Sequence, residues 1–112
     1  MIEARPWGIW ELLHRSDEYA VKRLVVKPGQ RLSLQYHLHR SESWYCVSGR
    51  GMVTIDDREI PFTPGNMVSI PQGAHHRITN TGDDNLTIVE IWEGLYLQED
   101  DIIRVQDDYE RF

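Results

Sequence analysis

A single cysteine, Cys46, stands in this chain of 112 residues, so no internal disulfide can form, and the sequence reads as that of a protein from a reducing cytoplasm. Set within Trp44-Tyr45-Cys46-Val47, the thiol is expected to fill core space rather than act as a nucleophile. No apolar run approaches the length of a membrane span, which argues against a membrane partner. The opening MIEARPWGIWELL has acidic residues where a secretory leader would carry an apolar core and a small-residue cleavage site. A basic surplus is missing as well. With 12 Lys and Arg against 18 Asp and Glu, the formal charge is -6, which argues against nucleic acid as a partner. Repeats, low-complexity tracts and linkers are absent. The length allows one domain, residues 1–112, with a core but no separate nucleotide-binding unit.

What is present is a 40% hydrophobic, 27% charged composition ordinary for a soluble globular protein, cut into short segments by turn residues. Apolar or alternating stretches run Tyr19 to Val26, Arg31 to His37, Ser43 to Val47, Gly51 to Ile55, Asn66 to Ile70, His76 to Thr79 and Leu86 to Trp92. Between them lie Pro28-Gly29, Ser48 to Gly51, Asp56-Asp57, Pro64-Gly65, Pro71 to Gly73 and Thr81 to Asp84. Many short strands at near-regular spacing predict an all-β sandwich or small barrel, with a tight hairpin at Asp56-Asp57-Arg58. Trp7 to Arg15 has Trp7 and Trp10 at helix-like spacing, against which Gly8 counts; the tail after Tyr96 is mixed and acidic.

Two glycine-punctuated patterns hold four of the five histidines. The first runs Gly29, five residues, Gln35, one residue, His37, four residues, Glu42, six residues, Gly49. The second runs Gly65, five residues, Pro71, one residue, Gly73, two residues, His76, three residues, Asn80. Alternate residues of a strand face the same way, so Gln35 and His37 can share an interior spot. A turn at Arg40-Ser41 would swing Glu42 round to them, and His76 would arrive from a second strand after the Pro-Gln-Gly turn. Two imidazoles, a carboxylate and an amide oxygen form a mixed set suited to a borderline divalent cation. Glu90, alone in Leu86-Thr87-Ile88-Val89-Glu90-Ile91-Trp92, is costly to bury unless paired, protonated or at a polar cavity; Lys22 or Arg23 would be its ion-pair partner.

These two patterns resemble those of the cupin superfamily, with Gln35 standing where most cupins carry their first histidine. Arg5-Pro6-Trp7-Gly8, Val21-Lys22-Arg23, Lys27 to Gln35, His39 to Trp44, Ile70 to Arg77 and Tyr96 to Ile102 together resemble the type II mannose-6-phosphate isomerase cupin. The similarity spans roughly Arg5 to Arg111. It implies a cupin jelly-roll barrel, or double-stranded β-helix, with short N- and C-terminal extensions, and a metal held by Gln35, His37, Glu42 and His76. Zinc leads by ligand type and resemblance; manganese, iron, cobalt and nickel fit the same set. In that family the cupin often follows a guanylyltransferase domain, whose absence here implies no guanylyl transfer.

The resemblance also implies interconversion of mannose 6-phosphate and fructose 6-phosphate. Moving a proton between C1 and C2 asks for a base, for which Glu90, His39 and His75 are the candidates. The phosphate asks for guanidinium or ammonium donors, for which Arg5, Lys22, Arg23, Arg77 and Arg104 are the candidates. Two other expectations stand beside the isomerase: a non-catalytic metal-binding module that holds a sugar-like ligand or assists a partner enzyme, and a metal-dependent oxygenation. Trp7, Trp10 and open sheet edges point to a homodimer.

Overall fold

The computed structural model describes residues 1–111, and no helix occurs among them. The strands are β1 (Ile2–Arg5), β2 (Gly8–Arg15), β3 (Tyr19–Val26), β4 (Leu34–Tyr36), β5 (Arg40–Ser48), β6 (Gly51–Ile55), β7 (Arg58–Phe62), β8 (Met67–Ile70), β9 (His76–Asn80), β10 (Leu86–Gly94) and β11 (Ile103–Gln106). They form a six-stranded sheet in the order β1-β2-β3-β10-β5-β8 and a five-stranded sheet in the order β11-β4-β9-β6-β7, antiparallel throughout. Trp44, Ile55, Phe62, Ile70, Ile78, Leu86 and Ile88 are almost fully enclosed between them. Cys46, likewise buried, is the core residue its neighbours predicted.

The period-2 pattern of the long strands decides what faces inward. In β3 the buried set is Ala20, Lys22, Leu24 and Val26; in β10 it is Leu86, Ile88, Glu90 and Trp92; in β5 it is Arg40, Glu42, Trp44 and Cys46. The ladders align these rows, with Glu90 opposite both Lys22 and Trp44 and Trp92 opposite both Ala20 and Glu42. One end of the barrel is therefore apolar and closed, and the other carries the buried charges. Asp56-Asp57 makes the expected hairpin: Ile55 pairs with Arg58, and Asp56 takes the left-handed φ of 52° that such two-residue loops need.

Three local expectations are corrected. Trp7 to Arg15 is not helical: Gly8–Arg15 is β2, held by pairing to β3 with a bulge between Leu12 and His14, so cross-strand partners outweigh the spacing of the tryptophans. Trp7 and Trp10 are core residues, 4% and 8% exposed, and offer no surface for the dimer contact expected of them. The turn before Glu42 lies at Leu38-His39 rather than Arg40-Ser41, because β5 already begins at Arg40. No helix of the described residues is long and apolar enough to cross a membrane.

Candidate metal centre

His37 follows β4, Glu42 lies on the inner face of β5, and His76 opens β9, so three elements deliver their side chains to one buried point at the polar end of the barrel. The Pro71 to Ala74 turn that aims His76 is closed by Ala74 N–H donating to Pro71 O (3.1 Å), with Gly73 at φ 83°. Ligand atoms of His37, Glu42 and His76 lie within 4.8 Å of one another, so the three could hold a metal ion. His37 Nε2 is 3.2 Å from His76 Nε2 and 2.8 Å from Glu42 Oε2. Ligands about 2.0–2.1 Å from a tetrahedral ion sit roughly 3.3 Å apart, so the nitrogen pair has the right separation.

The tautomers point the same way. His37 Nδ1 faces the Asp101 carbonyl at 2.6 Å and His76 Nδ1 faces the Ala74 carbonyl at 2.9 Å. Each Nδ1 therefore carries the proton, and both Nε2 atoms turn inward. His37 Nε2 already touches Glu42 Oε2, and a divalent ion would be held among these inward-facing atoms. Burial holds the His76 pKa below the ordinary imidazole value, which keeps that ring neutral as a ligand must be. Burial alone would raise Glu42, but the hydrogen bond and charge of His37, together with Arg40, keep it ionised well below the usual carboxylate range. His76→Ala is accordingly expected to drop the bound divalent ion from about one equivalent to a small fraction by elemental analysis, given the three-residue donor set. Full retention would refute the assignment.

The other predicted residues separate into those that reach this end of the barrel and those that do not. Gln35 pairs directly with His76 across the ladder and lines the adjoining cavity, although its Oε1 already accepts from Ser33 Oγ at 2.6 Å. Glu90, Lys22, Arg5 and Arg104 line the same cavity, whose volume is about 130 Å³. Arg23 faces outward and bonds Glu11 at 2.9 Å, so of the two partners named for Glu90 only Lys22 faces it. Arg77 is turned to the Leu32 carbonyl and Gln106, away from the cavity. His39 and His75 are exposed and stack on Tyr96 and Tyr36, so neither reaches the cavity as a base. His14 is exposed as well, against Tyr19.

Sequence reasoning missed Arg40, Trp92 and Asp101, which with Lys22 and Glu90 bind this end together. Arg40 is 4% exposed, donates to Glu42 Oε2 (2.9 Å) and to the Gln98 carbonyl (3.2 Å), and lies 3.4 Å above the Trp92 ring. Lys22 Nζ sits 3.9 Å and 4.0 Å from the ring centres of Trp10 and Trp92. Burial lowers the Lys22 pKa to about 8 against the pull of Glu90, and burial together with the charge of Glu42 pushes Glu90 up to about 8. Asp101, from the tail, accepts from the backbone N–H groups of Leu38 (2.8 Å) and His39 (2.9 Å), fixing the turn between His37 and Glu42. Counting back two residues from Glu42, or on two from Glu90, would have put Arg40 and Trp92 on the inner face; nothing local marks Asp101.

A family model described as "Mannose-6-phosphate isomerase C-terminal" matches residues 2–107. A mannose-1-phosphate guanylyltransferase of Sinorhizobium fredii is 49% identical over 104 residues, covering 93% of this chain and 20% of that protein. The alginate biosynthesis protein AlgA of Pseudomonas aeruginosa is 45% identical over 107 residues, covering 96% of this chain and 22% of that protein. The chain thus spans about a fifth of the length of these curated relatives. Among solved structures, the formate complex of Lactobacillus farciminis oxalate decarboxylase superposes with a TM-score of 0.82 at 21% identity, over 94% of this chain and 33% of that one, which supports the cupin jelly roll as a fold. The relatives' names correct the expected activity. Sequence relatives at this level are named for guanylyl transfer and polysaccharide biosynthesis, so the expected isomerase is overturned.

Proposed function

This chain belongs to the Mannose-6-phosphate isomerase C-terminal family, and on that footing we propose that it is a metal-binding cupin module that serves mannose 1-phosphate guanylyl transfer by holding the phosphorylated hexose. The carrying observation is the junction of two sites. Glu42, one of the three metal donors, also lines a cavity that is lined by the cations Lys22, Arg40 and Arg104. A metal suits hydroxyl oxygens of a sugar, and the cations suit its phosphate.

The metal is divalent, with zinc the first choice for two imidazoles and a carboxylate, and manganese, iron, cobalt and nickel as competitors. Gln35, opposite His76 in the ladder and in the cavity lining, would join the set; its Oε1 accepts from Ser33 Oγ and keeps a second lone pair. When bound, the ion supplies a Lewis-acid contact to substrate oxygens. The protein's own residues do the rest: Asp101 orients His37, Arg40 keeps Glu42 ionised, and Trp10 and Trp92 flank the Lys22 ammonium.

The test is calorimetric titration of mannose 1-phosphate into zinc-loaded and chelator-treated protein. Saturable binding that weakens at least about tenfold without metal is the expected result, equivalent to about 1.4 kcal/mol. No binding to the loaded protein at millimolar ligand would sink the proposal.

A further inference from the structure

The Lys22 ammonium is shielded from bulk solvent. Its side chain is 3% exposed and its ammonium lies between two indole faces, yet its carboxylate partner is not a buried residue of the barrel. Glu99, whose side chain is 48% exposed, reaches in from the tail turn Gln98 to Asp101 and pairs with Lys22 Nζ. The same turn is tied down by Arg40 donating to the Gln98 carbonyl and by Asp101 capping Leu38 and His39. Ile102 and Arg104, which follow it, line the cavity. Arg104 Nε is buried and has no hydrogen-bond partner among the described residues.

Size makes the consequence quantitative. A cavity of about 130 Å³ has room for about four waters at roughly 30 Å³ each. Pockets for small-molecule ligands run to roughly 300–1,000 Å³. With Glu99 in its lining, the cavity is too small for a hexose phosphate, and the cation best placed to receive the phosphate is already neutralised. Glu99, which lines the cavity and pairs with Lys22, contributes to both obstacles.

We infer that Glu99 is an internal stand-in for an anionic ligand, occupying Lys22 until a phosphomonoester displaces it and lifts the Gln98 to Asp101 turn from the cavity mouth. The inference rests on the cavity being the phosphosugar site, and it adds that this site is gated by the chain's own carboxylate. A phosphomonoester dianion has the advantage over Glu99 in charge and in acceptor number, and it supplies Arg104 Nε with its missing acceptor. A neutral sugar has neither advantage and leaves the turn in place. The gate therefore selects phosphorylated over free hexoses, at the cost of affinity for all anions.

The test compares wild type with Glu99→Gln, an isosteric change at an exposed position, using inorganic phosphate and mannose 1-phosphate as probes and tryptophan fluorescence from Trp10 and Trp92 as readout alongside calorimetry. Glu99→Gln is expected to bind both probes about tenfold more tightly, and Lys22→Met added to it is expected to abolish that gain. Equal or weaker binding of phosphate by Glu99→Gln overturns the gate and leaves Glu99 as a plain partner of Lys22. If mannose 1-phosphate binds both proteins equally, the proposed function survives and the gate does not. If neither probe binds either protein, both readings fall.

Discussion

Glu42→Ala is expected to leave the metal-free protein about 3–5 kcal/mol less stable and to abolish retention of a divalent ion. The carboxylate is buried and accepts from Arg40 Nε at 2.9 Å and Trp44 Nε1 at 2.8 Å, with His37 Nε2 2.8 Å from its Oε2. Removing it strands the Arg40 guanidinium, 4% exposed, and leaves the indole N–H of a nearly fully buried tryptophan without an acceptor. Breaking one partner of a buried ion pair costs far more than a surface pair is worth, because the remaining charge stays desolvated. Stacking on Trp92 and the Gln98 carbonyl offset part of that cost for Arg40, which sets the range rather than the sign. Glu42→Gln keeps an acceptor for Trp44 and should lose less stability while still losing the metal. Urea denaturation of chelated protein, with elemental analysis of the loaded protein, measures both effects. A stability change under about 1 kcal/mol for Glu42→Ala would show that Arg40 is satisfied without it.

The strands most legible in the sequence are those whose two faces differ. β3 and β6 fall at the expected residues, and β10 extends only two beyond, because Ala20-x-Lys22-x-Leu24-x-Val26 and Leu86-x-Ile88-x-Glu90-x-Trp92 alternate cleanly once Lys22 and Glu90 are read as inward. β1 and β11 are illegible for the opposite reason. Both lie at sheet edges with mostly exposed or half-buried faces, and β11 pairs only with the three-residue β4, so register with a partner rather than residue pattern makes them strands.

The centre shows the same division. His37, Glu42 and His76 were legible because their donor types and their spacing from turn glycines both constrain them. The surroundings were legible only in part. Lys22 and Arg104 reach the cavity and Arg23 and Arg77 do not, a distinction that strand alternation makes for the Lys22-Arg23 pair but not for Arg77, which is buried beside β11 and bonds Gln106. Asp101 lies 64 residues from His37, whose ring proton its carbonyl holds. Such contacts depend on a tail folding back over the barrel, and no local pattern encodes that return.

Glu90→Gln should gain stability over wild type, by about 2–4 kcal/mol, as the pH of the metal-free protein rises from 5 to 8. Burial, reinforced by the like charge of Glu42, holds the native Glu90 pKa up to about 8, whereas the unfolded chain ionises it near the ordinary value of about 4.3. Between those two values the native state keeps a proton that the unfolded state has lost, so wild-type stability contributed by this group is complete below the unfolded value and drains away as pH rises toward 8. Lys22 has the opposite sign but a different window: its native pKa of about 8 lies below the unfolded value of about 10.4, so its contribution is lost as pH falls between those two. Buried His76, with its pKa lowered, loses stability as pH falls below about 6.5, and it does so in both proteins, so the difference between them cancels it. The amide can still accept from Trp92 Nε1, 3.1 Å from Glu90 Oε1, which preserves the packing while removing the titration. A competing outcome has a clear cause. Were attraction to Lys22 stronger than the penalty of burial, Glu90→Gln would lose stability at pH 8 instead of gaining it. Lys22 already has Glu99, two indole faces and no direct ion pair to Glu90, which puts the larger effect on the side of burial.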